Sequence, residues 1–327
     1  MKKPIIRYLT TLALAALCGG AVAGQATAQT APDMSAYILT PKPADTPRIN
    51  GARVFGVRPG SEFLYTIAAT GVRPMTFSAE GLPKGLKLDA KTGRITGRVT
   101  APGEYTVKLK AENALGSYNR DLRIVVGREI ALTPPMGWNS WNCWARDVTQ
   151  EQVLSSARAM VESGLANHGW SYINIDDGWQ GKRGGRDNAI QPNTKFPDMK
   201  ALTREIHDMG LRVGIYSTPW VGTYAAHIGS YSDNPDGENE WIKKGRHNEH
   251  YRYQKEGGNY WTDRREVYHL GAYSFVKPDV KQWGEWGIDY LKYDWSPLDY
   301  YHVKEMHDAL QTLDRDVVYS KIGRAHV

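Results

Sequence analysis

The chain predicts two folded parts: a small all-β sandwich, then an incomplete (β/α)8 TIM barrel carrying strands one to five only. Three observations carry this. Between about 49 and 127, short alternating runs are separated by turn signals at regular spacing, the pattern of a sandwich. From Thr133 the pattern becomes strand, helix, strand, helix, which implies a parallel sheet. Polar residues stand at the C-terminal end of the later strands, where a barrel keeps its active rim.

The elements follow in order. Residues 1–28 read as a bacterial-type export signal: "MKK" with Arg7, the apolar "LALAALCGGAVA" and the A-x-A site in "ATAQ", with cleavage after Ala28. The expected location is therefore periplasmic or extracellular. Residues 29–48, rich in Pro, Ala and Thr, form a linker. Within 49–127, "FLYTIAAT", "GLKLDAKTGRITG", "GEYTVKLKAEN" and "LRIVVG" supply the strands, with a hairpin around Lys91–Thr92–Gly93.

The second part, 128–321, opens with a strand over "MGWNSWN" (136–142). A helix over 149–164 follows, with Thr149 as N-cap and Gln152 closing a capping box. Strands are predicted over 171–177, 211–217, 289–294 and 316–320, and helices over 198–210, 278–287 and about 301–313. An aromatic-rich insertion spans 221–277, with Tyr224, Tyr231, Trp241, Tyr251, Tyr253, Tyr260 and Trp261. It either shapes extra ligand subsites or packs over the barrel. A doubly wound sheet is the alternative fold, but no Gly-rich phosphate loop follows the first strand.

Composition narrows the function. With 327 residues, 41% of them hydrophobic, the chain can bury a sizeable core. Its charge of +6 includes no basic cluster interleaved with aromatics, which argues against a nucleic-acid partner. After signal cleavage Cys143 is the one cysteine left, so no internal disulfide forms, and no later segment is apolar enough to span a bilayer.

The chemistry concentrates in "DYLKYDWSP". Residues at i and i+2 of a strand share a face, so Tyr290, Lys292 and Asp294 point one way and Leu291 and Tyr293 the other. Lys and Asp on an inward face need partners. The strand ends would bring Trp141, Asp176, Asp177, Tyr216, Lys292 and Asp294 to one rim. An ammonium beside Asp294 would favour its charged form, as suits a nucleophile in a retaining glycosidase. Adjacent Asp176 and Asp177 can accept several hydroxyl protons from one sugar ring, with Trp179 as an apolar wall. Taken singly, each motif has an ordinary reading: an ion pair, a turn, core tryptophans.

In combination they are specific. "TPPMGWNSWN", "YINIDDGWQ", "PNTKFPDMKALTREIHDMGLRVGIYS" and "WGIDYLKYDWSP", in this order over about 133–320, resemble glycoside hydrolase family 27, the α-galactosidase and α-N-acetylgalactosaminidase family. The block 49–127 resembles the Ig-like modules found in front of secreted hydrolases, serving either as a spacer or as a glycan binder. The resemblance implies a retaining exoglycosidase on a (β/α)8 barrel, removing terminal α-D-galactosyl residues. Asp294 would be the nucleophile. Asp176, Asp177 and Lys292 would hold sugar hydroxyls, with Trp141 and Tyr216 lining the pocket, and no metal or other cofactor is implied. Another sugar (α-N-acetylgalactosamine, β-L-arabinopyranose or an isomalto-glucan) or a non-catalytic glycan-binding role is the alternative.

The chain also departs from the family. Many relatives carry cysteines directly after the paired Asp and two residues after the nucleophile; here Gly178 and Ser296 stand there, and Trp295 takes a usual Asn position. The family's general acid/base lies beyond the nucleophile on a later strand. Asp299, Glu305, Asp308, Asp314 and Asp316 fit none of its motif, so the expectation is a fragment without that acid and inactive alone. The tail 322–327, "IGRAHV", reads as artefactual.

Overall fold

The computed structural model describes residues 42–239 and 268–322. The signal, residues 29–41 of the linker, Trp241, Tyr251, Tyr253, Tyr260 and Trp261 of the insertion, and 323–327 of the tail lie outside the described residues. From Pro43 onward the chain forms one compact unit.

The first part is a two-sheet sandwich. Strands Val54–Val57, Gly116–Val126, Gly103–Asn113 and Thr76–Glu80 form one sheet in that spatial order. Glu62–Thr66, Arg94–Arg98 and Leu86–Leu88 form the facing sheet. Strict alternation does the work: Val107, Leu109 and Ala111 point inward from one long strand, and Leu122, Ile124 and Val126 from its partner. The hairpin turns where expected, with Asp89 accepting the Lys91 and Thr92 amides at 2.8 and 3.2 Å.

The second part is a five-stranded, wholly parallel sheet. Its strands are β1 (Gly137–Asn139), β2 (Tyr172–Asn174), β3 (Arg212–Ser217), β4 (Tyr290–Asp294) and β5 (Val318–Ile322), in spatial order β1-β2-β3-β4-β5. Sequential order is what one-way winding produces; a doubly wound sheet would reverse direction at its first strand. Helices α1 (Gln150–Glu162), α2 (Met199–Asp208), α3 (Val276–Trp286) and α4 (Tyr300–Gln311) connect the strands. They cover one face through a core that includes Ile173, Val213, Leu291, Trp283 and Met306. None of the described helices is long and apolar enough to cross a membrane.

Local chemistry fixes the boundaries. Thr149 Oγ1 accepts the Gln152 amide and Gln152 Oε1 accepts the Thr149 amide, the reciprocal box that starts α1. Asp198 and Asp299 cap α2 and α4 through the amides of Ala201 and His302. Gly287, at φ +94°, ends α3.

Three expectations need correction. The strand predicted over 136–142 stops at Asn139, because Asn139 Oδ1 accepts the Trp141 amide and turns the chain into a short helix, Trp141–Trp144. A hairpin of Gln180–Gly184 against Ala189–Pro192 follows β2, unforeseen in the sequence. Ile322, assigned to the tail, continues β5: it pairs with Asp294, and its carbonyl accepts the Trp295 amide.

Candidate functional site

The C-terminal ends of β1 to β4 converge. Beyond β2 stand Asp176 and Asp177, on β3 Tyr216, and on β4 Lys292 and Asp294. The parity argument holds along β4: Leu291 and Tyr293 are fully buried against the helices, while Tyr290, Lys292 and Asp294 are partly accessible on the other face.

Lys292 is the hub. Its Nζ lies 2.7 Å from Asp176 Oδ2 and 3.8 Å from Asp294 Oδ2, and 5.0 Å from the centre of the Tyr216 ring. The ammonium therefore hydrogen-bonds to Asp176, and its pairing with Asp294 is looser than the i, i+2 spacing suggests. Asn139 Nδ2 donates to the same Asp176 oxygen at 2.8 Å, and Ser140 Oγ accepts the Asp176 amide at 2.9 Å. Thus β1 and β4 clamp Asp176 from both sides.

Asp177 is near enough to Asp176, Lys292 and Tyr216 to interact with them electrostatically, but its oxygens are already engaged. It is 1% exposed, and its two oxygens accept the Thr223 hydroxyl and the Ala225 amide, both at 2.7 Å. It therefore pins the segment after β3. Burial raises its pKa to about 7, against the lowering effect of those two hydrogen bonds.

At Asp294 burial outweighs the ammonium, which favours the charged form as expected. Burial raises its pKa to about 6, and Lys292 lowers it only in part. At 3.8 Å, with Asp176 taking the shorter contact and adding its own negative charge, the ammonium cannot offset desolvation. The Tyr216 hydroxyl is buried and makes no hydrogen bond of normal geometry among the described residues, yet lies near enough to Asp294 to favour its charged form. A buried hydroxyl left so is available to a ligand.

Other candidates fall differently. Trp141 sits in the short helix past β1 and is 37% exposed. Trp179, expected as an apolar wall, is instead fully buried in the core, donating through Nε1 to the Tyr216 carbonyl at 2.9 Å and packed edge-on to Trp286. Of the insertion's described aromatics, Tyr224 packs with Trp220 and Tyr268, and Tyr231 is buried against Glu305.

The reading from sequence missed Asn139 and Thr223. A polar residue at a strand end could have flagged Asn139; nothing in the spacing joins Thr223 to Asp177. Among the described residues no group of three His, Cys, Asp or Glu is arranged to hold a metal ion.

The cysteine missing at 178 has a backbone counterpart. Gly178 adopts φ +124°, and a Cβ there would lie 2.7 Å from the Arg146 carbonyl oxygen, so this turn admits no side chain as built.

Residues 46–127 match the family described as "Putative Ig domain", and residues 133–241 the one described as "Alpha galactosidase A". A Bacteroides fragilis "putative alpha-galactosidase" of known crystal structure is 37% identical, with a TM-score of 0.69 over 86% of this chain and 53% of its own. The Cellvibrio japonicus alpha-galactosidase A is 33% identical over 198 residues, 59% of this chain and 38% of its own length. A Dictyostelium discoideum protein described as "Probable alpha-galactosidase" is 30% identical over 58% of this chain and 40% of its own. The chain thus spans less than half the length of these two relatives. The two family matches, an Ig-type domain over 46–127 followed by an alpha-galactosidase domain over 133–241, are together consistent with glycoside hydrolase family 27.

Proposed function

We propose that the chain carries the nucleophile and sugar-binding half of a retaining exo-α-galactosidase, its five parallel strands being the first part of a (β/α)8 barrel. The observation that carries this is Lys292, which gathers Asp176 and Asp294 from the ends of β2 and β4, on either side of β3. In this reading Asp294 attacks the anomeric carbon, the bond to the leaving group breaks, and a covalent glycosyl ester forms. Asp176 and Lys292 hold sugar hydroxyls, Tyr216 contributes its hydroxyl, and Trp141 presents an aromatic face. Asp177 reaches the sugar mainly by fixing the segment around Thr223.

The later carboxylates have other employment. Asp299 caps α4, Glu305 accepts the Tyr231 hydroxyl, Asp308 pairs with Lys304, and Asp314 and Asp316 pair with Arg98 and Arg58. We assign the proton-donor role to none of these five, so acid-assisted hydrolysis by the described residues alone is not expected. Residues 1–28 direct the protein out of the cytoplasm in this reading.

An α-galactosyl fluoride tests the reading, because fluoride leaves without protonation. The parent chain should release fluoride and become glycosylated. Asp294→Ala should release none until azide is added, which displaces fluoride at the same carbon and yields the β-galactosyl azide. A parent chain that binds galactose but releases no fluoride is a glycan-binding protein.

A further inference from the structure

The hydrophobic cores of the sandwich and of the parallel sheet do not merge. Between them lies a cavity of about 1010 Å³ bordered by both parts. Among the described residues the contacts that join them are largely polar. Asn50 and Arg73 reach Asn167 ahead of β2, and Thr66 and Arg94 reach Gly210 and Asp208 ahead of β3. The densest group lies at the N-terminal ends of β3, β4 and β5.

At β3, the Arg212 guanidinium donates to the Leu64 carbonyl through Nε at 3.2 Å and again through Nη2. Its third contact is the Tyr172 hydroxyl at 3.0 Å, and its carbon lies 4.6 Å from the centre of the Phe55 ring. At β4, Asp289 accepts Arg315 at 2.8 Å, and Arg315 reaches Glu62 with its other nitrogen at 3.0 Å. Asp289 also accepts the Val213 amide at 2.9 Å and lies 2.7 Å from His207 Nε2. At β5, Asp316 accepts the Arg58 Nε at 2.6 Å, the Arg58 amide at 2.9 Å and the Ser61 hydroxyl at 3.0 Å. Arg58 further donates to the carbonyls of Gln311 and Leu313 at 3.0 Å each, where α4 ends and its last carbonyls lack helical partners.

We propose that the Ig-type domain is a base clamp for the barrel: it holds the N-terminal ends of the three strands whose other ends carry Tyr216, Lys292 and Asp294. Its partner is the barrel base of the same chain. The face bearing Arg58, Glu62 and Leu64 is engaged there, so it is not a swinging glycan-binding surface. The proposal concerns stability and does not rest on the catalytic reading. Four of the charged side chains at the junction are largely buried, Arg58 and Asp316 at 16% and 15% exposed and Arg315 and Asp289 at 9% and 11%, while Glu62 is half exposed. Removing one partner of such a pair leaves the other desolvated and unmatched.

The test exploits the sequence. All 11 tryptophans lie at or beyond Trp138, so tryptophan fluorescence reports the barrel part and not the Ig-type domain. In the 327-residue chain, Arg58→Ala should lower the tryptophan-detected melting midpoint by roughly 5 °C. Arg123→Ala, which breaks an exposed pair with Glu104 inside the Ig-type domain, should leave it unchanged. Should Arg58→Ala prove too unstable to purify, denaturant midpoints of Asp316→Asn with and without Arg58→Lys replace it, and the two effects should be less than additive. An unchanged tryptophan midpoint in Arg58→Ala, or full additivity of the pair, would overturn the clamp.

Discussion

Lys292 shows how far a single residue could be read. Strand parity put Lys292 and Asp294 on one face, and the structure agrees. Parity could not say that the ammonium would favour Asp176, because that contact joins strands 116 residues apart in the chain. Nor could it say that burial would hold Asp294 near pH 6. A nucleophile must be ionised, so kcat/KM for an activated galactoside should fall about tenfold per pH unit below about pH 6. Lys292→Met removes the charge that pulls this pKa down, so the acidic limb should move to higher pH, whatever happens to kcat. A limb that stays in place, measured across pH 4–8, would mean that Lys292 does not tune Asp294. Asp289 makes the opposite case. Burial alone would raise its pKa, but His207, Arg315 and Arg212 together bring it down to about 2. A carboxylate depressed in the folded state stabilises above its unfolded pKa of about 4, and that stabilisation is lost as pH falls towards 2. Asp289→Asn should therefore cost on the order of 2 kcal/mol at pH 7, with the difference shrinking as urea melts are repeated towards pH 2.

At the scale of elements, the helices were the most legible feature. Their apolar periodicity and caps are local, so Thr149, Gln152 and Asp198 announce their positions without help from distant parts. Thr149→Ala removes one acceptor and half of the reciprocal box. It should cost about 1 kcal/mol in a denaturant melt; a loss below a few tenths would mean that tertiary packing alone starts α1. Strand ends were less legible. Asn139 turns its own chain two residues on, ending β1 early, and this competes with an extended reading of "GWNSWN". The hairpin Gln180–Gly184 with Ala189–Pro192 lacks alternating apolar residues, being held by contacts such as Gln282 Nε2 to the Ile190 carbonyl. Such support comes from α3 and leaves no periodic trace in the hairpin itself.

At the scale of the molecule, domain order was readable because composition and period change at Thr133, but the junction was not. Arg58, Glu62 and Arg315 look like ordinary surface charges in the sequence, and only the fold brings them to the base of β3 to β5. The site follows a similar rule: residue types at strand ends were visible, while Thr223 and the burial of Trp179 required the three-dimensional arrangement. Base and rim sit at opposite ends of the same strands. The central claim remains the nucleophile, and covalent labelling tests it most directly. A ring-fluorinated α-galactosyl fluoride reacts without a proton donor and leaves a slowly hydrolysed ester. After incubation and digestion, mass spectrometry should find the added sugar on the peptide containing Asp294, and no label in Asp294→Asn. A sugar adduct on another residue, or equal labelling of Asp294→Asn, would contradict the account.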